Sequence, residues 1–139
     1  MNTLVIDTSV FIKWLNKNNE QSLDKADKIL QEVKAGQSEI LVPELIKYEI
    51  GNVLLKGKKL MPNQAYILLG TAYSLPVTFI TESEQQAKKT YTLAHKLDIT
   101  YYDATFLTLA KRYNATLITE NIKDQRKIPD IKVLQLKDY

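Results

Sequence analysis

Asp7, Glu49 and Asp103 are the residues of this 139-residue chain whose type and placement could do chemistry. Asp7 ends the apolar run Leu4-Val5-Ile6, which reads as a buried strand delivering a carboxylate to a sheet edge. Glu49 lies four residues after Leu45, three after Ile46 and four before Val53, in the middle of an apolar helical stripe. Moving an unpaired carboxylate out of water costs several kcal/mol, so such an acid wants a partner, a metal or a raised pKa. Asp103 follows Tyr101-Tyr102 and heads a segment carrying Phe106 and Leu107. If the three converge within about 4 Å, each pair repels by about 4 kcal/mol at an effective dielectric near 20, and a cation is needed. With no Cys and one His in the chain, oxygen ligation favours Mg²⁺ or Mn²⁺ over zinc. Each acid alone has a plainer reading: Asp7 and Asp103 as helix N-caps, Glu49 in an ion pair or at a solvated stripe edge.

The elements that must position these acids alternate. After Asp7, the residues Val10, Phe11, Trp14 and Leu15 fall at helical spacing, and Asn16 to Asn19 break the pattern. Ser22 is an N-cap for the stripe Leu23, Ala26, Ile29, Leu30 and Val33, which Gly36 closes. Ile40-Leu41-Val42 is a strand, and Pro43 suits the first turn of the helix that carries Glu49 and ends near Gly57. Pro62 opens a helix through Ala65, Leu68, Leu69 and Ala72. Val77-Thr78-Phe79-Ile80 is a strand; Thr81, with Glu84 three residues on, caps a helix reaching about Leu97. A further helix runs from Asp103 through Tyr113, and Leu117-Ile118 and Lys132-Val133-Leu134 are the last strands.

Strands separated by helical segments imply parallel crossovers, and hence a three-layer α/β/α domain spanning residues 1–139. In such sheets ligands sit beyond the carboxyl ends of the strands, where Asp7 and the cluster Thr119-Glu120-Asn121 fall.

The balance of 45% hydrophobic to 25% charged residues is that of a soluble globular protein, and no apolar run approaches the roughly 20 residues that span a bilayer. Absence of Cys excludes disulfides, thiolate zinc sites and cysteine nucleophiles, and fits a cytoplasmic location. The net charge is +3, with the excess gathered late in the chain: Lys111, Arg112, Lys123, Arg126, Lys127, Lys132 and Lys137 stand against Glu120, Asp124 and Asp130. Such a patch attracts a polyanion or is simply a solvated face. His95, late in a helix, reads as a surface residue favoured there by the dipole.

Four blocks in order resemble those of PIN-domain ribonucleases: Leu4-Val5-Ile6-Asp7-Thr8-Ser9; Glu49 with Asn52 and Leu54; Tyr102-Asp103-Ala104 with Leu107 and Ala110; and Leu117-Ile118-Thr119. Their order, spacing and the total length are similar to the VapC-type toxins of VapBC toxin–antitoxin pairs. The resemblance implies a Rossmann-like sheet of order 3-2-1-4-5 and Mg²⁺- or Mn²⁺-dependent cleavage of RNA to 5′-phosphate and 3′-hydroxyl ends. It places Asp7, Glu49 and Asp103 in the metal site. In the fourth block many members carry an Asp two residues after the Thr, where this chain has Asn121; a second version, Thr-x-Asn-x-x-Asp, matches Thr119, Asn121 and Asp124. Asp124 is the expected fourth acid, with Glu120 and Asn121 as rivals. Thr8, Ser9 and Thr119 are expected either to orient carboxylates or water or to cap helices. Arg112, Lys123, Arg126 and Lys127 are candidates for steering RNA, and Tyr101 or Tyr102 for stacking on a base. The resemblance also implies a VapB-like antitoxin laid over the acidic groove and a homodimer. Leu54, Leu60 and Tyr66 are candidates for those surfaces, with the core as the safer assignment for each.

Two other readings compete. One is a phosphotransfer receiver or phosphatase-like domain with Asp7 as acceptor, although receivers want an acid pair at the first strand's end. The other is a PIN-like module outside a toxin pair, either an RNA-processing nuclease or a non-catalytic binder, which Asn121 makes possible.

Overall fold

The computed structural model describes residues 1–120, 122 and 128–139. Five parallel strands form one sheet: β1 (Asn2–Ile6), β2 (Ser38–Pro43), β3 (Thr78–Ile80), β4 (Thr116–Thr119) and β5 (Lys132–Gln135), in the order β3-β2-β1-β4-β5. The six α-helices are α1 (Thr8–Phe11), α2 (Leu23–Lys34), α3 (Leu45–Asn52), α4 (Pro62–Ser74), α5 (Glu84–Leu97) and α6 (Tyr101–Arg112). A 3₁₀ turn, Ile12–Trp14, prolongs α1, and a π-helical turn, Val53–Gly57, prolongs α3. The sheet is flanked by helices and its order is the one expected.

The central position of β1 follows from its sequence. Leu4, Val5 and Ile6 are all buried, because a strand paired on both edges and covered on both faces must be apolar throughout. Register sets Leu4 opposite both Ile40 and Thr116, and Ile6 opposite Ile118, so the chain emerges from the sheet centre at Asp7. The Asp7 N–H still donates to the Ile118 carbonyl at 3.3 Å, which ties the first residue beyond β1 to β4. Ile46 and Ile50 of α3 and Phe106, Leu107 and Ala110 of α6 are buried in the same core, which fixes the starts of both helices near the strand ends. Each such large side chain contributes about 1.5–3 kcal/mol when fully buried.

Several local expectations are corrected. Pro43 does not open α3; it is the last residue of β2, where it pairs with Ile80, and a strand end tolerates its missing N–H. Helix α5 is capped by Ser83, whose side chain accepts from the Gln86 N–H at 3.1 Å, so Thr81 is left outside the helix. Helix α6 begins two residues earlier than expected, with Thr100 as its cap. Ser22 holds the N-cap position of α2 in a left-handed conformation and makes no side-chain capping bond. Gly36 ends α2 at φ +75°, a conformation that penalises any side chain. Leu54 is buried and Leu60 packs partly buried against the core, whereas Tyr66 is 70% exposed and not a core residue. His95 is exposed in the last turn of α5. No helix among the described residues is long and apolar enough to cross a membrane.

Candidate active site

Asp7 occupies the N-cap position of α1, and its backbone carbonyl accepts from the Val10 and Phe11 N–H groups. Its side chain makes no capping hydrogen bond. The carboxylate instead accepts from two hydroxyls, Ser9 Oγ to Oδ1 at 2.5 Å and Thr119 Oγ1 to Oδ2 at 2.5 Å. Those donors reach it from α1 and from the end of β4, so the sheet register itself delivers Thr119 to Asp7.

Glu49 sits on α3 and accepts from Thr8 Oγ1 at 2.6 Å. One short segment, Thr8-Ser9, therefore holds two carboxylates that are 42 positions apart in the chain. Asp103 stands in the first turn of α6, exposed, with its N–H donated to the Thr100 hydroxyl at 3.0 Å. Thr100 takes the capping role, and the Asp103 carboxylate is released from it.

Burial pushes the Asp7 carboxyl above the ordinary carboxylate range; the Ser9 and Thr119 hydroxyls, and then the N–H groups of Val10 and Ser9, only partly offset it. Burial likewise raises Glu49, with Thr8 opposing and the charges of Asp103 and then Asp7 adding to the rise. The charges of Asp103 and Asp7 thus both reach Glu49. Among the described residues no Lys or Arg pairs with Asp7 or Glu49. Nor do three acidic, His or Cys side chains among them stand close enough together to form a ready cage for a metal. The donor set nevertheless fits a hard divalent cation: Asp7 and Glu49 present carboxylate oxygens whose partners among the described residues are hydroxyls and backbone N–H groups. Asp124, Asn121, Lys123, Arg126 and Lys127 lie outside the described residues.

Glu120 enters the site by its backbone. Its N–H donates to Ser9 Oγ at 3.0 Å, while its carboxylate pairs with the Lys13 ammonium at 2.7 Å. Lys13 is only 2% exposed and also reaches Glu20 at 3.0 Å, which in turn pairs with Lys58 at 2.6 Å. Burial alone would push Lys13 down, but Glu120 and Glu20 outweigh it and the ammonium is held above its ordinary value. Sequence reasoning missed this lysine. Its signal was the one that exposed Glu49, a charge inside an apolar run, here Val10-Phe11-Ile12-Lys13-Trp14-Leu15.

Arg112 lines an open cavity of about 720 Å³ between α5 and α6, together with Lys88, Lys89, Lys96 and Lys111. Among the described residues five cations and no acid line this trough, with Lys88 paired outward to Glu84 at 3.0 Å and Lys111 to Asp130 at 3.8 Å, against a net charge of +3 for the whole chain. Tyr102 is 59% exposed and Tyr101 is half-buried, its hydroxyl donating to Glu82 at 2.7 Å.

A parallel sheet that carries Asp7 at the carboxyl end of its central strand, with Glu49 of α3 beside it, both partly buried and without a cationic partner among the described residues, defines an α/β domain with an acidic, oxygen-donor site. Residues 4–131 match the PIN domain model, and the chain belongs to the PIN domain family. No curated protein matches the chain. Among solved structures it is similar to a chain of VapBC2 from Rickettsia felis, bound there to a promoter DNA fragment. That likeness has a TM-score of 0.68 at 17% identity and covers 96% of this chain and 98% of that one. It is also similar to a chain of VapBC-1 from nontypeable Haemophilus influenzae, with a TM-score of 0.66, 21% identity, and 97% and 98% of the two chains covered. A third is VapC20 of Mycobacterium tuberculosis, described as a toxin that cleaves the sarcin–ricin loop; here the TM-score is 0.68 at 12% identity, over 94% and 98% of the chains.

Proposed function

We propose that this protein is a metal-dependent endoribonuclease and the toxin of a type II toxin–antitoxin pair, working in the cytoplasm. The observation that carries the reading is the pair of acids Asp7 and Glu49, both partly buried, both raised by burial and neither with a cationic partner among the described residues. Structural carboxylates at such depth are normally paired. Perturbed acids clustered at a strand-end edge are the mark of a functional site.

Asp7, Glu49 and Asp103 would hold the Mg²⁺ or Mn²⁺, with Asp124 as the fourth acid and Glu120 and Asn121 as its rivals. A divalent cation bound there supplies a lowered water pKa and polarisation of a phosphodiester oxygen. The chain's own part is to fix the donors. Ser9 and Thr119 hold both Asp7 oxygens, Thr8 holds one oxygen of Glu49, and Asp103, exposed, faces the incoming substrate. Arg112, with the lysines of its trough, attracts the RNA backbone, and Lys123, Arg126 and Lys127 are further candidates for that role by their charge.

A VapB-like antitoxin and a second copy of the chain are the proposed partners. Support comes from α4, which has no charged residue in thirteen and leaves Tyr66, Ile67 and Tyr73 largely exposed. Apolar surface of that kind marks a protein contact. The test is cleavage of RNA in Mn²⁺: wild type cuts, while Asp7→Asn and Glu49→Gln remain folded and do not. Activity undiminished in EDTA contradicts the reading.

A further inference from the structure

Beside the acids lies a second, smaller pocket of about 220 Å³, with Tyr48, Tyr101 and Tyr102 on its sides and Glu44, Glu82 and Ile80 among its remaining walls. Tyr48 directly precedes Glu49 on α3, and Tyr102 directly precedes Asp103 on α6. Leu45 and Tyr48 of α3 and Tyr101, Tyr102 and Thr105 of α6 line the pocket together, so the two helices that carry Glu49 and Asp103 meet at it. Tyr48 is 78% exposed, so two large rings stand open to solvent at the place where substrate must pass. A core role does not explain them.

We propose that this pocket is a nucleobase site that holds one unpaired base of the RNA next to the bond to be cut, an inference that rests on the ribonuclease reading. Its chemistry divides a nucleotide into parts. Tyrosine faces take the flat face of any base by stacking. Glu82 offers a carboxylate that accepts from base N–H groups and repels phosphate, and Glu44, paired with Lys47 at 2.9 Å, offers its second oxygen as a further acceptor. The backbone therefore stays outside, and the basic trough lies in the right direction for it: a narrow slot lined by Glu82, Thr105 and Arg112 shares walls with both cavities. Glu82 is already set in place by the Tyr101 hydroxyl at 2.7 Å. The base that best matches a carboxylate wall is one with adjacent N–H donors on its pairing edge. Guanine has N1–H beside its amino group, whereas uracil flanks a single N–H with two carbonyl oxygens.

The experiment is cleavage in Mn²⁺ of a mixed-sequence single-stranded RNA of a few hundred nucleotides, with cut positions mapped and KM and kcat measured. Wild type is expected to cut beside guanine in preference to uracil. Tyr48→Ala and Tyr102→Ala raise KM roughly ten- to hundredfold with little change in kcat, Tyr102→Phe restores it, and Glu82→Gln flattens the base preference. If both alanine variants keep the wild-type KM and cut pattern while remaining folded, the pocket is not a base site although the ribonuclease reading stands. Loss of dimer mass with RNA cleavage unchanged assigns the rings to a protein contact and likewise overturns the proposal. If the wild type cuts no RNA, the ribonuclease reading itself falls, and the pocket proposal with it.

Discussion

Two groups of buried charges lie next to each other in this protein and are built on opposite principles. In one, Lys13 is enclosed by Glu120 and Glu20, with Lys58 closing the chain, so that each buried charge has a counter-charge within 3.0 Å. In the other, the partners of Asp7 and Glu49 among the described residues are hydroxyls and, for Asp7, backbone N–H groups, with no cation. Hydroxyls orient a carboxylate without neutralising it. The two groups touch at Glu120, whose side chain belongs to the first and whose N–H holds Ser9 in the second. The paired cluster is built for rigidity, locking the end of β4 against the turn after α1. The unpaired acids are the ones proposed to receive a cation, and the contrast with the paired cluster is what supports that proposal.

The largest test of this contrast removes the lysine. Lys13→Met leaves Glu120 and Glu20 facing one another without a cation and is expected to lower stability by about 3 kcal/mol in urea denaturation, the range seen when one partner of a buried pair is removed. A cost near zero would mean that the cluster is no more than a surface ion pair. Next is the cation itself: Mn²⁺ at a hundred times its dissociation constant should stabilise the wild type by about 2.7 kcal/mol, read as a rise in melting temperature that Asp7→Asn abolishes. Asp7→Asn without metal should be the smaller effect and opposite in sign to the lysine variant. It relieves an uncompensated buried charge and is expected to gain about 1 kcal/mol while losing cleavage.

The smallest effect is the pH response, and its sign differs between the two groups. Asp7 and Glu49 have raised pKa values, so the folded state binds their protons more tightly than the unfolded chain does. Their contribution to stability is therefore present at low pH and is lost as pH rises from the ordinary carboxylate range through the raised values. Glu20 is shifted the other way: burial would raise it, but Lys58 and Lys13 hold it below its ordinary value. Its contribution is present above the ordinary carboxylate range and is lost as pH falls through the lowered value. Lys13, held above its ordinary value, keeps its contribution at neutral pH and loses it only as pH rises through that raised value. Melting curves of wild type and the Asp7→Asn, Glu49→Gln double variant from pH 4 to 8 should diverge most at the upper end. Parallel curves would place the two acids in water.

Much of this was legible in the sequence. The run Leu4-Val5-Ile6 reads as a covered strand and the stripe around Glu49 as one face of a helix, so the α/β layering and the edge that carries Asp7 followed from the pattern, whereas the sheet order came from the resemblance to PIN-domain ribonucleases. The cap of α6 was harder to read. Both Thr100 and Asp103 are good cap residues, and only the backbone shows that Thr100 takes the role and leaves Asp103 outside it. Pro43 was misread because proline suits a helix start as well as a strand end, and pairing with β3 decided between them. The Lys13 cluster was not legible at all as a cluster, since its partners come from positions 20, 58 and 120 and nothing local links them. Long-range charge pairing is written in the fold, not in the spacing.

The central claim, that Asp7 and Glu49 are left unpaired in order to bind a cation, is tested most directly by calorimetric titration of Mn²⁺ into wild type, Asp7→Asn and Glu49→Gln. The account predicts saturable binding to the wild type that is lost with Asp7→Asn and weakened with Glu49→Gln. Absence of binding to the folded wild type, or equal binding to all three, would contradict it.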